Sequence, residues 1–255
     1  MTKAEHEQLI NNGEFHLVGY QYTIMYMARI NSIAQFLFAK VLSLRGKLYS
    51  PFEASEIIEA FTIKTICDWE WYVEKMIYEC LKDDTSQLAN QLALTLPKSI
   101  TKDECVAYLN GLAYFDLKSV SNLKSIARKI LIESKNPFER ISSEARNQID
   151  DFYSLRNYVA HRSNKSKKTL IRTYKKYNQD KFIEVGEFLL GKTRHDNRTI
   201  RFQDFGGAFW LAAFNIMEFL YPKTYKWIVQ EENTYNDKCH FRFSYLMELS
   251  PNKPQ

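Results

Sequence analysis

The stretch that decides the fold runs from residue 142 to residue 161 and reads SSEARNQIDDFYSLRNYVAH. Ser142 or Ser143 can cap the start of a helix, because a serine hydroxyl accepts a hydrogen bond from a backbone N–H group of the first turn. The apolar residues after the cap recur every three or four positions, which is the spacing of one helical face. They are Ala145, Ile149, Phe152, Leu155 and Val159. The stretch is therefore predicted to form an amphipathic helix with one buried side.

Helical patterns of the same kind flank this helix on both sides. The clearest start is at Ser50, where Pro51 and Glu53 complete a capping box, and that helix is predicted to run to about Leu81. Eight glycines and six prolines are few for 255 residues, which also favours long helices. Further helices are predicted to begin at Thr101 and to cover residues 16–45, 86–96, 121–132 and 208–220. Residues 182–190 fit a helix or a strand, and residues 241–249 fit a strand.

The predicted fold class is all-α: an up-and-down helical bundle with an extra N-terminal helix and a mostly helical C-terminal extension. Residues 1–50 are expected to be an N-terminal helical segment packed on the bundle, which residues 51–176 form. Residues 177–255 are expected to be a C-terminal extension of the same globule. A hydrophobic content of 45% and an aromatic content of 15% are those of a folded protein with a sizeable core.

Several classes of protein are disfavoured by the sequence. Acidic residues precede any apolar run at the start of the chain, so no signal peptide is expected. The longest strongly apolar stretch, residues 208–220, is too short to span a bilayer. The four cysteines lack paired metal-ligand spacing, which favours a reduced, cytoplasmic protein without a metal site. No Walker A loop, dinucleotide fingerprint or nucleophile elbow occurs, so no cofactor is expected.

The positive charge of this chain is local. The formal net charge is +5, yet eight basic residues and no acid lie between residues 156 and 176, and the rest holds 27 basic against 30 acidic residues. The eight are Arg156, Arg162, Lys165, Lys167, Lys168, Arg172, Lys175 and Lys176. A polyanion is the natural partner of such a patch, because counterion release from its backbone would supply much of the affinity. A solvated loop with surplus lysines is the plainer alternative.

The basic stretch begins with three residues that can serve phosphodiester cleavage. Arg156 offers a planar fork of donors to phosphate oxygens, and Asn157 can bond a phosphate or a ribose hydroxyl. His161 can pass a proton near neutral pH without further tuning. Other candidates are weaker: His195 lies in a polar loop, and the Cys239–His240 pair lacks further ligands at zinc spacing. Trp69, Trp71 and Tyr72 could stack bases, but their helical spacing favours the core or an interface.

Helical geometry sets a condition on this group. Arg156 projects from the centre of the apolar side, whereas Asp150, Ser154, Asn157 and His161 share a polar stripe. A guanidinium on an apolar side needs a partner, so Arg156 either faces a pocket or bonds an internal carboxylate. Arg156 and His161 are about 140° apart on an unbroken helix. Either the helix breaks near Ala160, or two chains share the site across a two-fold axis.

Arg156, Asn157 and His161 resemble the signature of the HEPN superfamily (higher eukaryotes and prokaryotes nucleotide-binding domains). In that signature an Arg is usually followed by Asn, Asp or His, and a His follows about four to six residues after the Arg. Here four residues separate Arg156 from His161. The resemblance covers about residues 53–176 and implies a helical bundle that works as a homodimer. Some members carry a modifiable Tyr two residues after the His, but this chain has Ser163 there.

The resemblance implies a metal-independent endoribonuclease that leaves 2′,3′-cyclic phosphate and 5′-hydroxyl ends. His161 would move the proton, while Arg156 and Asn157 would stabilise the phosphorane. Residues expected to hold the RNA are Arg162, Lys165, Lys167, Lys168 and Arg172. Such enzymes often act as toxins or in antiviral defence, with a cognate antitoxin or defence-system partner that the sequence does not identify. Two alternatives are a non-catalytic dimeric RNA- or nucleotide-binding module, and an interaction subunit that docks through residues 208–220.

Overall fold

The computed structural model describes residues 47–111, 117–193 and 200–222, together with Tyr225 and scattered positions between residues 23 and 42. Within these ranges the chain forms eight α-helices, a π-helical segment over Leu37–Leu42 and two short 3-10 turns. The α-helices are α1 (Pro51–Asp83), α2 (Ser86–Leu92), α3 (Lys102–Gly111), α4 (Val120–Ile130), α5 (Ser143–His161), α6 (Asn164–Lys176), α7 (Val185–Leu190) and α8 (Arg201–Leu220).

The all-α fold class is confirmed, since the described residues form helices and no β-sheet. The two predicted capping boxes are also confirmed. The Ser50 hydroxyl accepts a hydrogen bond from the Glu53 N–H group at 3.2 Å, and the Glu53 carboxylate accepts one from the Ser50 N–H group at 2.7 Å. Thr101 and Glu104 form the same reciprocal pair ahead of α3. None of the helices in the described ranges is both long and apolar enough to cross a membrane.

Several predicted boundaries are wrong by a few residues. The helix expected over residues 86–96 ends at Leu92, because Ala93 adopts a left-handed conformation with φ of 52°. The last described helix begins at Arg201, earlier than residue 208, and its first turn carries the polar residues that hid it. Residues Val185–Leu190 are helical, which settles the choice between helix and strand. The predicted strand over residues 241–249 lies outside the described residues, as do both ends of the helix predicted over residues 16–45.

Helix α6 was not predicted, because residues 162–176 were treated only as a basic run. It has its own start signal, since the Ser163 hydroxyl accepts a hydrogen bond from the Ser166 N–H group at 3.1 Å. Leu170, Thr173 and Tyr174 are buried at helical spacing on its inner side. Lysine and arginine fill six of the other ten positions and lower the mean hydropathy, so the short apolar stripe is easy to miss.

Helix α1 and helix α5 form the centre of the molecule. Phe152 of α5 lies 5.3 Å from Phe209 of α8, and Phe209 lies 5.6 Å from Trp69 of α1, measured between ring centroids. Positions before α1 pack on it as well: the hydroxyl groups of Thr23 and Tyr72 lie 3.1 Å apart. The three central helices are therefore joined by one aromatic cluster.

Two contacts show that α1 and α5 run antiparallel. Arg162, which follows α5, pairs with Glu59, while Tyr153, earlier in α5, donates a hydrogen bond to Glu70. Helix α6 turns back along α5, since Lys176 at its end donates to Asp151. One end of the bundle thus holds the start of α1, the end of α5 and the start of α6.

Candidate functional site

The helix that carries the motif is continuous through Ala160 and His161. The Ser142 hydroxyl caps its first turn by accepting a hydrogen bond from the Ala145 N–H group at 3.2 Å. Its last turn is closed by Arg162, which has a left-handed φ of 43° and donates its N–H group to the Tyr158 carbonyl at 2.8 Å. The break near Ala160 that would bring Arg156 and His161 together is absent. The two side chains leave one helix about 140° apart.

The Arg156 guanidinium is half-buried and has one described hydrogen bond. Its Nη1 atom donates to the side-chain oxygen of Asn157 at 3.1 Å. Its Nε atom is buried and has no hydrogen-bond partner among the residues that the structure describes. No carboxylate that the structure describes forms an ion pair with it, so the internal salt bridge considered from the sequence is not found there. A buried donor without a partner costs about 1–3 kcal/mol, and such a group in a native protein calls for an explanation.

Glu70, an acid that faces Tyr153 of α5, is already engaged. The Tyr153 hydroxyl donates a hydrogen bond to the Glu70 carboxylate at 3.4 Å. Burial raises the pKa of Tyr153, the Glu70 charge raises it further, and the Arg156 charge opposes the rise. Arg156 therefore lies close enough to influence Tyr153, which stays a neutral hydrogen-bond donor at physiological pH.

The polar stripe of α5 divides into a structural half and an open half. Asp150 accepts hydrogen bonds from the Val120 N–H group at 2.6 Å and the Ser121 hydroxyl at 2.8 Å, and so fixes the start of α4. Asn157 is half-buried and accepts from Arg156, while His161 is exposed in the last turn. Asn157 and His161 are therefore the members of the stripe that a ligand can reach.

Arg162 is held by the fold. Its Nη2 atom lies 2.8 Å from Glu59 and 3.9 Å from Glu56, and its Nη1 atom lies 3.3 Å from Glu184. The Glu59 carboxylate is buried and also accepts a hydrogen bond from the Gly186 N–H group at 3.2 Å. Arg162 was predicted to contact RNA, but a phosphate would have to compete with these three carboxylates. Sequence reasoning missed Glu59 because it lies 103 residues earlier.

The other predicted RNA-binding residues lie on α6 and differ in their exposure and in their contacts with the fold. Lys165, Lys168 and Arg172 are exposed and form no ion pair with any described residue. The Lys167 ammonium is half-buried and lies 4.0 Å from the centroid of the Phe182 ring, a cation–π contact. Of the predicted set, these three exposed residues are therefore the most available to a ligand.

Three cavities, of about 1060, 430 and 290 Å³, lie at the other end of the molecule, around Arg140 and Phe219. This end adjoins the start of α5, since the Ser142 N–H group donates to Asn215, which lines one of the cavities. It is about 27 Å from His161 along the axis of α5. The cavities are therefore separate from the motif.

The remaining candidates contribute little to a site. Trp69 and Tyr72 are buried in the core, and the half-buried Trp71 ring has the Arg29 guanidinium 4.7 Å from its centroid. Among the described residues, no group of three or more His, Cys, Asp or Glu side chains is placed to hold a metal ion. His195 and the Cys239–His240 pair lie outside the described residues.

The structure thus gives the positions of Arg156, Asn157 and His161 on α5. Comparisons with protein-family models, with curated proteins and with solved structures find no match to this chain. The resemblance to the HEPN signature therefore stays a prediction from the sequence, made on Arg156, Asn157 and His161.

Proposed function

We propose that this protein is a metal-independent endoribonuclease of the HEPN type that acts as a homodimer. The observation that carries the proposal is the state of Arg156. Arg156 is half-buried, forms no ion pair with a described carboxylate, and has an Nε donor without a hydrogen-bond partner among the described residues. Its accessible part can offer donors to a phosphate oxygen, and the neighbouring Asn157 already orients the fork. The next exposed polar side chain along α5 is His161, an imidazole that can accept or donate a proton.

The reaction proposed is an internal transesterification. The ribose 2′-oxygen attacks the adjacent phosphorus, the new 2′-oxygen–phosphorus bond forms, and the bond to the 5′-oxygen breaks. His161 takes the proton from the 2′-hydroxyl or supplies one to the leaving 5′-oxygen. Arg156, oriented by Asn157, stabilises the charge that develops on the pentavalent phosphorane. The products carry a 2′,3′-cyclic phosphate and a 5′-hydroxyl end.

The dimer follows from the 140° between Arg156 and His161. Because one helix cannot aim both at one phosphate, the Arg156 of one copy is proposed to work with the His161 of the other. A surface suited to this contact lies on α1 between Glu59 and Glu70. Glu59 contacts Arg162 at the end of α5, and Glu70 contacts Tyr153. Ala60, Ile63 and Cys67 lie there on one helical face, exposed or half-buried. The small side chains of Ala60 and Cys67 allow two helices to approach closely, and Ile63 adds apolar surface between them.

The biological setting proposed is the cytoplasm, where such an enzyme would act as a toxin or in antiviral defence. Its substrate is RNA, and its antitoxin or defence-system partner is left open. The observation that supports an RNA substrate is the local positive charge, because the exposed residues Lys165, Lys168 and Arg172 of α6 follow the motif directly. A nuclease of this kind needs restraint, and an exposed His161 is accessible to an inhibitory protein.

The direct test is cleavage of RNA by purified wild-type protein in the presence of EDTA, followed by analysis of the ends. The expected products are 2′,3′-cyclic phosphate and 5′-hydroxyl termini. Cleavage only after a divalent metal is added, or products with 3′-hydroxyl ends, would overturn the mechanism.

A non-catalytic dimeric RNA- or nucleotide-binding module is the second candidate. It is favoured by one observation: within a single chain the cations of α6 can bind a polyanion, whereas Arg156 and His161 do not converge. In that case the protein would bind RNA and leave it intact under every condition of the cleavage assay.

A further inference from the structure

The basic residues of α6 fall into two groups. Lys167 contacts the Phe182 ring, and Lys176 pairs with Asp151 at 2.5 Å, so both are used by the fold. Four others are exposed and form no ion pair with any residue in the described ranges. These four are Lys165, Lys168, Arg172 and Lys175. They are called the free row below.

The four residues of the free row lie along one side of α6. At 100° per residue its four side chains leave α6 within an arc of about 80°, and at 1.5 Å per residue they cover about 15 Å. The row is also rigidly supported from behind. Tyr174 is buried, stacks on Phe188 at 4.3 Å between ring centroids, and donates its hydroxyl to the Ile183 carbonyl at 3.0 Å. The spacing of the four backbone positions that carry the cations is therefore fixed before any ligand arrives.

Within α6, which the structure describes in full, no aromatic side chain shares this face. The rings nearest to it in the sequence are Tyr174, Tyr177 and Phe182, and each is engaged inside the fold. The Tyr177 hydroxyl donates to Asp151 at 3.2 Å, and Phe182 packs edge-on against Tyr158 at 5.6 Å. Proteins that hold single-stranded nucleic acid combine a basic groove with rings on which bases stack. The free row offers charge without such rings.

We infer that the free row binds the backbone of a base-paired RNA stem, an inference that rests on RNA being the substrate of the proposed function. Double-stranded RNA is recognised mainly through its shape, phosphates and 2′-hydroxyl groups, and it presents its phosphates in fixed rows. A row of cations on a rigid helix matches such a ligand without ordering it first, whereas a single strand would lose conformational entropy on binding. A duplex also carries more phosphates per unit length than one strand, which increases counterion release.

The placement of the row defines the substrate further. Lys165 lies in the first turn of α6, next to the end of α5 where His161 is exposed, and the row then runs back along α5. A stem held by the row therefore begins beside His161 and leads away from it. The bond to be cut lies in the unpaired residues that adjoin the end of that stem.

The experiment measures binding by the full-length His161→Ala protein, which the proposed mechanism makes unable to cleave. The probes are a blunt RNA duplex of about 16 base pairs, the length that a double-stranded RNA-binding domain spans, and an oligouridine strand of the same length. The duplex is expected to bind at least about tenfold more tightly at moderate salt. The Lys168→Gln and Arg172→Gln changes, combined, should reduce the salt slope of duplex binding by about two.

The matched control combines Lys98→Gln with Lys102→Gln, since both lysines are exposed and lie on another part of the chain. It removes the same charge and should leave the slope nearly unchanged. Equal or tighter binding of oligouridine, or equal slopes for the two double variants, would overturn the inference. Duplex binding through the free row by a wild-type protein that never cleaves RNA would instead overturn the proposed catalysis and leave the inference standing.

Discussion

The Arg162 guanidinium and the buried Glu59 carboxylate lie 2.8 Å apart and join the end of α5 to α1. The same carboxylate accepts the Gly186 N–H group at 3.2 Å, so it also holds the start of α7. Three segments that are distant in sequence therefore meet at one acid beside the motif. Arg162 adopts its left-handed conformation at this junction, which costs about 1–2 kcal/mol for a residue with a side chain. The contacts with Glu59 offset part of that cost.

The first prediction concerns the pH dependence of stability that Glu59 causes. Burial raises the pKa of Glu59 above its usual 4.5, and the Gly186 hydrogen bond and the Arg162 charge oppose the rise. Because the folded state holds the proton more tightly, this group favours folding most below pH 4.5, and its contribution falls as the pH rises through the raised pKa. Glu59→Gln should remove this fall in a plot of Tm against pH. The exposed Glu56→Gln variant is the control, and identical curves for wild type and Glu59→Gln would contradict the prediction.

The second prediction tests the packing of α7 on α1. A Cβ atom at Gly186 would lie 2.1 Å from the Ser55 backbone oxygen, which neither element can easily accommodate. Gly186→Ala should lower the free energy of unfolding by about 1–3 kcal/mol, measured by chemical denaturation. Gly207→Ala is the matched control, because nothing lies within 4 Å of its Cβ position, and in the middle of α8 it should stabilise slightly. Equal effects of the two substitutions would show that α7 does not pack on α1 as described.

The third prediction separates the roles of the two catalytic candidates. His161→Ala should abolish RNA cleavage in EDTA and leave Tm nearly unchanged, because the side chain is exposed. Arg156→Lys keeps the charge but loses the planar fork, and should lower the rate of cleavage by about 100-fold or more. Arg156→Ala should also abolish cleavage, with a larger effect on stability than His161→Ala, because its stem is half-buried. Full activity of His161→Ala would refute the proposed proton transfer.

The fourth prediction tests whether two chains share one site. Neither Arg156→Ala nor His161→Ala should cleave RNA alone. After unfolding and refolding as an equal mixture, half of the dimers are expected to be mixed, and each holds one complete pair of Arg156 and His161 from different chains. About one quarter of wild-type activity should return. If each site lies within one chain, every site in the mixture lacks one group, and no activity should return.

The fifth prediction locates the interface between copies. Ile63→Arg places a charge in the proposed contact on α1 and should shift the protein from dimer to monomer at micromolar concentration, as measured by light scattering. Leu94→Arg is the control, since Leu94 is 53% exposed and lies after α2, away from α5. A wild-type monomer at these concentrations, or a dimer that both variants retain, would rule out this surface.

The sequence predicts the local features of this fold well. Ser50, Thr101 and Ser142 mark helix starts because the capping bonds connect residues only three positions apart. The position of Arg156 on the apolar side of α5 also follows from helical periodicity alone. The capping bond that starts α6 also connects residues three positions apart, but the many lysines of this helix obscure its apolar pattern.

The parts that could not be predicted depend on contacts over long distances. Glu59 is 103 residues before Arg162, and Glu184 is 22 residues after it. No spacing rule connects residues of this kind, so Arg162 was grouped with free cations that the fold leaves exposed. The absence of a described carboxylate beside Arg156 likewise depends on how α1 and α5 are aligned. Periodicity fixes the face of a residue, but the neighbour across that face is set by tertiary packing.

Only Arg162 and Ser163 separate the last residue of α5 from the first residue of α6. A joint this short, closed by a helix cap on each side, leaves the two helices no freedom to slide or swivel independently. The separation between the backbone of His161 and the backbone positions that carry the cations of α6 is thus set by the two helices. An RNA held by those cations would be cut at a set distance from its stem. If the proposed function holds, the cleaved bond would be selected by its distance from the stem, with little dependence on the base sequence at that position.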